Sequence, residues 1–390
     1  MTAEYQICSY CVMDTSAPEI TFDDQGRCNY CRDFQNVVDS HGMLSDEATR
    51  QSRLASLVEH AKADGKGKPY DCIVGVSGGV DSSWALVQAV RLGLRPLAVH
   101  MDNGWNTELA VSNISNLIEK LDVDLFTYVI DWSEYRGLMQ AFFDADVIDI
   151  ELLYDNAMLA VCYQQADKYR IKNILSGYNL STEGLRMPEK WVWRDKLDAT
   201  NIRAIAKSFG AKISTFPLFS NLRFLRHRHL TGTKWVPFLD FLDYRKDEAL
   251  AELVKNYGYK PYPYKHYESV FTRFYQGYIL PEKFGVDKRR VHLSSLIVTG
   301  QMTRADAITA LDHIPYPSVD DLERDKAFVI KKMNWTPQTL EAYMARPERS
   351  HEEWAVDPVK RWVWPLLTRA GKVRDSLRRA ERVPDSVPKS

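Results

Sequence analysis

The chain has 390 residues, 45% of them hydrophobic and 26% charged, with a formal net charge of -1 at pH 7. That length allows two or three domains with a sizeable core, and the balance is that of a soluble globular protein. Near-zero charge excludes a global pull toward nucleic acid or an anionic membrane, no apolar run approaches the roughly 18 residues of a membrane span, and no signal peptide opens the chain.

Six cysteines are present. Four of them form Cys8-x2-Cys11 and Cys28-x2-Cys31, which suits a metal site in a reducing cytoplasm better than a disulfide framework. The pairs are separated by sixteen residues, inside the usual zinc window of roughly 15–20. A thioredoxin-like βαβ context for a redox pair is absent, and an iron–sulfur cluster fits paired knuckles less well. Four filled ligand positions make the predicted zinc structural. Ile20 and Phe22 alternate with polar residues ahead of the turn Asp24-Gln25-Gly26, giving a small hairpin. Residues 1–40 are therefore read as a zinc ribbon. Ala48, Leu54, Leu57, Val58 and Ala61 repeat at helical spacing within Ser45–Lys62, a linker helix inside residues 41–67.

An apolar run, Cys72 to Val76, then leads into Ser77-Gly78-Gly79-Val80-Asp81-Ser82-Ser83 and an apolar-periodic stretch with Trp84, Leu86, Val87 and Val90. Strand, glycine-rich turn and helix N-terminus together make an anion site, with three serine hydroxyls as further donors. An ordinary strand-to-helix turn is the plainer reading, and the serines, the aspartate and the flanking periodicity outweigh it. No lysine of a Walker A loop is present. The stretch resembles the PP-loop, S-G-G-x-D-S, of the ATP-pyrophosphatase superfamily, whose members bind ATP, release pyrophosphate and attach AMP to a substrate oxygen.

Further strands are expected at Arg95–Met101, Asp124–Ile130 and Lys172–Ser176, alternating with helices at 106–121, 133–145 and 153–169. That alternation predicts an α/β fold with a doubly wound parallel sheet, and the resemblance makes it the adenine nucleotide alpha-hydrolase-like type. In PP-loop proteins the end of the second strand lines the adenine and ribose pocket, so Met101, Asp102 and Gly104 become candidates. A plain turn is an equally good reading of Asp102-Asn103-Gly104. The loop Gly177-Tyr178-Asn179-Leu180-Ser181-Thr182-Glu183-Gly184 closes another strand, where Gly177 and Asn179 suit nucleotide and Glu183 suits Mg²⁺. A surface loop carboxylate is the commoner fate of such a glutamate. The nucleotide domain is assigned to 68–218.

From residue 219 to 345 a mostly helical substrate region is expected, followed by a tail, 346–390, rich in arginine and lysine. Tyr257–Phe284 is crowded with aromatics, read mainly as a helical core, with Lys265, Glu268 and Arg273 among them. Lys283, Lys288, Arg289 and Arg290 lie within eight residues, beside His292. Such a run is usually a solvated face, yet arginine forks also suit phosphate oxygens.

The ribbon's Cys-Val-Met-Asp-Thr-Ser, the PP-loop, Leu-Ser-Gly-Tyr-Asn-Leu-Ser-Thr-Glu-Gly and the segment leading into Gln301-Met302-Thr303-Arg304 together resemble the N-acetyl sugar amidotransferases of surface-polysaccharide biosynthesis, the WbpG/PseA type. The resemblance implies an ATP-dependent conversion of a sugar acetamido group to an acetamidino group, with ATP, Mg²⁺ and structural Zn²⁺. It points to Lys283 and Arg289 as catalytic beside Asp81 and Glu183, and to Arg290 and His292 as substrate-binding; Lys265, Glu268 and Arg273, set among aromatic rings, suit a sugar or nucleotide-sugar as well as single-stranded nucleic acid and are taken as substrate-binding. It also implies a separate glutaminase and a cyclase-like barrel carrying ammonia, since no glutaminase segment is visible and Cys72 and Cys162 sit in a strand and a helix as inert thiols. The substrate is expected to be nucleotide-linked, with no nucleic acid partner. The rival readings are a tRNA-thiolating PP-loop enzyme and a non-catalytic zinc-ribbon module.

Overall fold

In the computed structural model, residues 4–41, 47–193, 195–262 and 267–359 are described. Five parallel strands form one sheet: β1 (Cys72–Gly75), β2 (Pro96–Asp102), β3 (Leu125–Val129), β4 (Asn173–Ser176) and β5 (Lys234–Pro237). Their order is β3-β2-β1-β4-β5. Side chains alternate across the sheet: Cys72, Val74 and Val76 enter one core with Ala98 and Leu175, while Ile73 enters the other with Leu97, Val99 and Ile174. Both faces are covered, so the inner strands β1, β2 and β4 are buried along almost their whole length. Only the edge strand β3 shows an alternating, water-facing pattern, with Val129 68% exposed.

Ahead of the sheet come α1 (Asn29–His41) and α2 (Glu47–Asp64); between its strands lie α3 (Val80–Arg91), α4 (Glu108–Leu121), α5 (Trp132–Asp144), α6 (Leu152–Tyr169) and α7 (Leu180–Glu183). α3 and α4 cover the Val74 face; α5 and α6 cover the Ile73 face. Thr107 and Asp131 cap α4 and α5 by accepting the N–H of Ala110 and Glu134. The doubly wound parallel sheet is thus as expected, and the region after it is mostly helical.

Two elements differ from expectation. α1 begins inside the second cysteine pair, where a ribbon was expected to run on to residue 40; Tyr30 and Phe34 pack into the main core and give that helix its buried face. β5 lies beyond residue 218, in the stretch read as helical. It is only four residues long, too short for its period of two to stand out. The tail beyond residue 359, with Arg369, Lys372 and Arg374, lies outside the described residues, as does Lys265.

Candidate active site

The strand order reverses between β1 and β4, and crevices at such points, outside the carboxyl ends of strands, are where ligands bind in parallel α/β sheets. Ser77–Gly79 follows β1 there. Gly78 takes φ +83, open to glycine alone at low cost, and a Cβ on it would meet the backbone oxygen of Ala110 at 2.9 Å. Tyr259 and Tyr262 both donate their hydroxyls to the Gly78 carbonyl, at 3.0 and 3.1 Å. Gly79 is the N-cap of α3 and offers no side chain to its first N–H groups. Those donors, with the positive end of the helix dipole, face the crevice. Ser77 and Ser82 bond to one another at 3.1 Å, and Ser77 Oγ accepts the Gly79 N–H at 3.3 Å. The Tyr244 hydroxyl donates to the Asp81 carboxylate.

The loop after β4 closes the opposite wall. A Cβ on Gly177 would lie 2.8 Å from both the Asp81 carbonyl carbon and the Ser82 nitrogen, so the two loops touch backbone to backbone. Asn179 caps α7, its Oδ1 accepting the Thr182 N–H at 2.8 Å, and buried Asp240 accepts the Leu180 N–H at 2.6 Å. This fixes Glu183 at the end of one helical turn. A cavity of about 480 Å³ lies between the loops, lined among others by Ser77, Gly79, Asp81, Gly177 and Glu183.

Two further charged residues line it, Glu268 and Lys246. Glu268 arrives from the C-terminal region, pinned to the loop after β2 by the Thr107 N–H at 2.9 Å and by the bridge between Asn106 and Ser269. Lys246 was missed in the sequence. Its signal was available: it is the first residue of the helix Lys246–Tyr257, where the helix dipole disfavours a cation. Tyr154, Met158, Trp235 and Tyr262 supply apolar and aromatic wall. Phosphate-binding donors, one ammonium and three carboxylates around an aromatic-walled cavity suit a metal–nucleotide ligand.

Residues 268–369 match the family model described as LPS biosynthesis protein WbpG-like, C-terminal domain. The C-terminal region is therefore similar to the C-terminal domain of WbpG-like proteins, and is called WbpG-like below. No curated protein matches the sequence. Among solved structures, NMN synthetase from Francisella tularensis is 14% identical, with a TM-score of 0.29 over 57% of this chain and 99% of that one. NH3-dependent NAD synthetase from Campylobacter jejuni is 14% identical, with a TM-score of 0.28 over 54% and 84%. A predicted tRNA methyltransferase subunit from Methanocaldococcus jannaschii is 16% identical, with a TM-score of 0.23 over 41% and 75%.

Most cations expected at the site sit elsewhere in the WbpG-like domain, held by their own partners. Lys283 is buried, donating to the carbonyls of Tyr343 and Arg346 at 2.7 and 2.6 Å and pairing with Asp146 at 3.2 Å. It fastens the helix Leu280–Phe284 to the helix Pro337–Ala345 and does not reach the cavity. Arg289 forks onto Asp287 at 2.7 Å and donates to the His313 carbonyl at 2.8 Å. Arg273 forks onto Asp325 at 2.5 and 2.6 Å. Arg290 pairs with Asp14 at 3.0 Å. His292 contacts the Thr182 carbonyl at 2.9 Å, supporting the Glu183 turn from behind. Such runs of charge are legible, but apart from Asp287 beside Arg289 their carboxylate partners lie far along the chain.

Met101 is fully buried, and the Asp102 carboxylate accepts the Gly104 N–H at 2.8 Å in a closed turn. None of Met101, Asp102 and Gly104 is among the residues lining the cavity, and the plain-turn reading describes them. Ser83 is likewise fully buried rather than facing the crevice. Tyr259 and Tyr262, expected in a helical core, lie in extended chain and brace the loop instead. Replacing Lys283 with methionine should lower stability by about 1–3 kcal/mol, because it leaves the Tyr343 and Arg346 carbonyls without their donor while Asp146 keeps Arg346 at 2.7 Å, and should leave turnover by the folded protein unchanged. Urea titration and steady-state kinetics check this; a hundredfold loss of turnover at full folding would return Lys283 to the catalytic set.

The four ribbon cysteines are fully buried, with sulfurs all within 4.8 Å of one another. Cys11 to Cys28 and Cys28 to Cys31 measure 3.6 Å and Cys8 to Cys31 3.8 Å. A tetrahedron with metal–sulfur bonds of about 2.3 Å has edges of roughly 3.8 Å, so the set fits a tetrahedral metal such as zinc. The N–H groups of Cys11 and Cys28 point at Cys8 Sγ, at 3.4 and 3.2 Å, which favours thiolate there. Cys72 and Cys162 are fully buried, and burial pushes the Cys162 thiol up to about 12 and raises Cys72 as well. Neither is an available nucleophile.

Proposed function

We propose that the protein is an ATP-dependent, AMP-forming amidotransferase that converts a sugar N-acetyl group to an acetamidino group in surface-polysaccharide biosynthesis. One observation carries the reading: two glycine loops and an uncapped helix meet at the switch point of a parallel sheet, and the WbpG-like domain places Glu268 on the rim of that cavity. The acetamide oxygen attacks the α-phosphorus of ATP and pyrophosphate leaves, giving an O-adenylyl imidate. Ammonia adds to the imidate carbon, loses a proton, and the carbon–oxygen bond to AMP breaks. The α3 N–H groups and Lys246 offset charge developing on pyrophosphate.

Among the described residues no three carboxylates converge on one point, so Mg²⁺ would be held mainly by the phosphates, with Asp81 and Glu183 as protein ligands. The cysteine set would hold a structural zinc. A nucleotide-linked acceptor, a separate glutaminase with its ammonia-carrying barrel, and a cytoplasmic setting complete the proposal. No helix among the described residues is long and apolar enough to cross a membrane.

Incubation with ATP, ammonium and UDP-linked N-acetylated amino sugars should yield AMP and a slightly lighter sugar, oxygen having been replaced by NH. AMP appearing only with tRNA and a sulfur donor would overturn the assignment.

A further inference from the structure

Helix α6 is enclosed by protein around most of its circumference. In its first half Leu152, Leu153, Asn156, Ala157, Ala160 and Val161 are buried, while Tyr154, Asp155, Met158 and Leu159, with Glu151 at the N-cap, stay partly exposed. Those positions fall at i, i+3, i+4, i+7 and i+8, one face of a helix. Tyr154 and Met158 line the nucleotide cavity. The same open stripe therefore continues past Tyr154 to Asp155 and Glu151.

Ion pairs meet that end of the stripe. Lys196 Nζ lies 2.5 Å from Asp149 and 2.9 Å from Asp155. Lys288 pairs with Glu151 at 3.0 Å, and Gln276 donates to both Glu151 oxygens, at 3.1 and 2.8 Å. Asp155 is the open member: its side chain is 40% exposed and Lys196 meets it at Oδ2. Burial nonetheless raises its carboxyl above the ordinary range, against the pull of Lys196. Asp155 is thus at once reachable by water and desolvated by the protein around it.

Three carboxylates face two ammonium groups here, Lys196 shared between Asp149 and Asp155 and Lys288 paired with Glu151. Among the described residues neither ammonium is left over for a phosphate. Fixed acceptors and donors side by side, next to an aromatic ring, match a neutral polyhydroxylated ring.

We infer that this open face of α6, running on from the cavity, is the acceptor subsite, holding the N-acetylated pyranose through Asp155, Lys196 and Gln276, with Tyr154 between it and the nucleotide. The inference rests on the amidotransferase reading and deepens it. Asp155→Asn keeps the shape, and Asp149 still partners Lys196, so the melting midpoint should hold. The KM for the sugar should rise about tenfold or more, as lost pairing to a substrate hydroxyl demands, while the KM for ATP stays within about twofold. Gln276→Ala should shift the sugar KM in the same direction. Wild-type turnover with both variants leaving the sugar KM unchanged would overturn the subsite alone. Absence of AMP formation by the wild type with every N-acetylated sugar would overturn the amidotransferase reading, and the sugar assignment with it.

Discussion

Stripping the metal from Cys8, Cys11, Cys28 and Cys31 is expected to unfold residues 4–41 and loosen the WbpG-like domain with them. Structural zinc sites of this kind supply about 10 kcal/mol or more of apparent folding free energy at neutral pH, and strand pairing within the ribbon is slight. Two isolated bridges, Ile7 to Asp14 and Phe22 to Cys28, are its strand pairing. Yet the ribbon is not a free appendage. Arg304 donates to the Cys8 carbonyl at 2.9 Å and the Cys11 carbonyl at 3.1 Å, Arg290 donates to the Val12 carbonyl at 2.9 Å, and the Val12 N–H donates to Ser294 at 3.2 Å. Ser294 sits on the same helix, Arg289–Val298, as His292 and Ser295, which hold the Thr182 carbonyl and the Leu185 N–H. The cysteine set is thus two contacts from the Glu183 turn. A chelator, or Cys28→Ser, should expose residues 4–41 to protease and reduce AMP formation at least tenfold. Chelation that removes one equivalent of zinc while leaving proteolysis and turnover unchanged would make the ribbon a passive decoration.

The crevice around Ser77–Gly79 was legible in the sequence because each of its parts is local. An apolar strand, two glycines, a serine-rich turn and a periodic helix lie within twenty residues, and each has its own physical signature. The cysteine set was legible for the same reason. Long-range pairing was not. Lys283 and Arg289 looked like free cations because Asp146 and the carbonyl of His313 gave no sign of where the fold would place them. Lys246, Tyr154 and Asp155 were passed over because each sits in an ordinary amphipathic stretch. Only the sheet order, which sets α6 and the helix Lys246–Tyr257 around one crevice, shows which of their faces stays open.

Gly177→Ala is expected to abolish tight ATP binding. Gly177 has ordinary negative-φ backbone, so the penalty comes from contact rather than strain. Its new methyl carbon would fall 2.8 Å from the Asp81 carbonyl carbon and from the Ser82 nitrogen. Neither atom belongs to a flexible side chain that could swing aside. One loop must retreat from the other, at an overpacking cost of about 1–3 kcal/mol, and the crevice opens by a comparable distance. Displacements of about 1 Å in a positioned site typically cost on the order of a hundredfold. ATP affinity measured by calorimetry should therefore fall about a hundredfold, with the protein still folded at room temperature. Gly137→Ala serves as the control: Gly137 lies within α5 with nothing within 4 Å of the new carbon, and a helix-interior alanine there should add up to about 1 kcal/mol of stability and leave ATP binding untouched. Binding by Gly177→Ala within twofold of the wild type would mean that ATP does not sit where the two loops touch, and the switch-point cavity would lose its claim to the nucleotide.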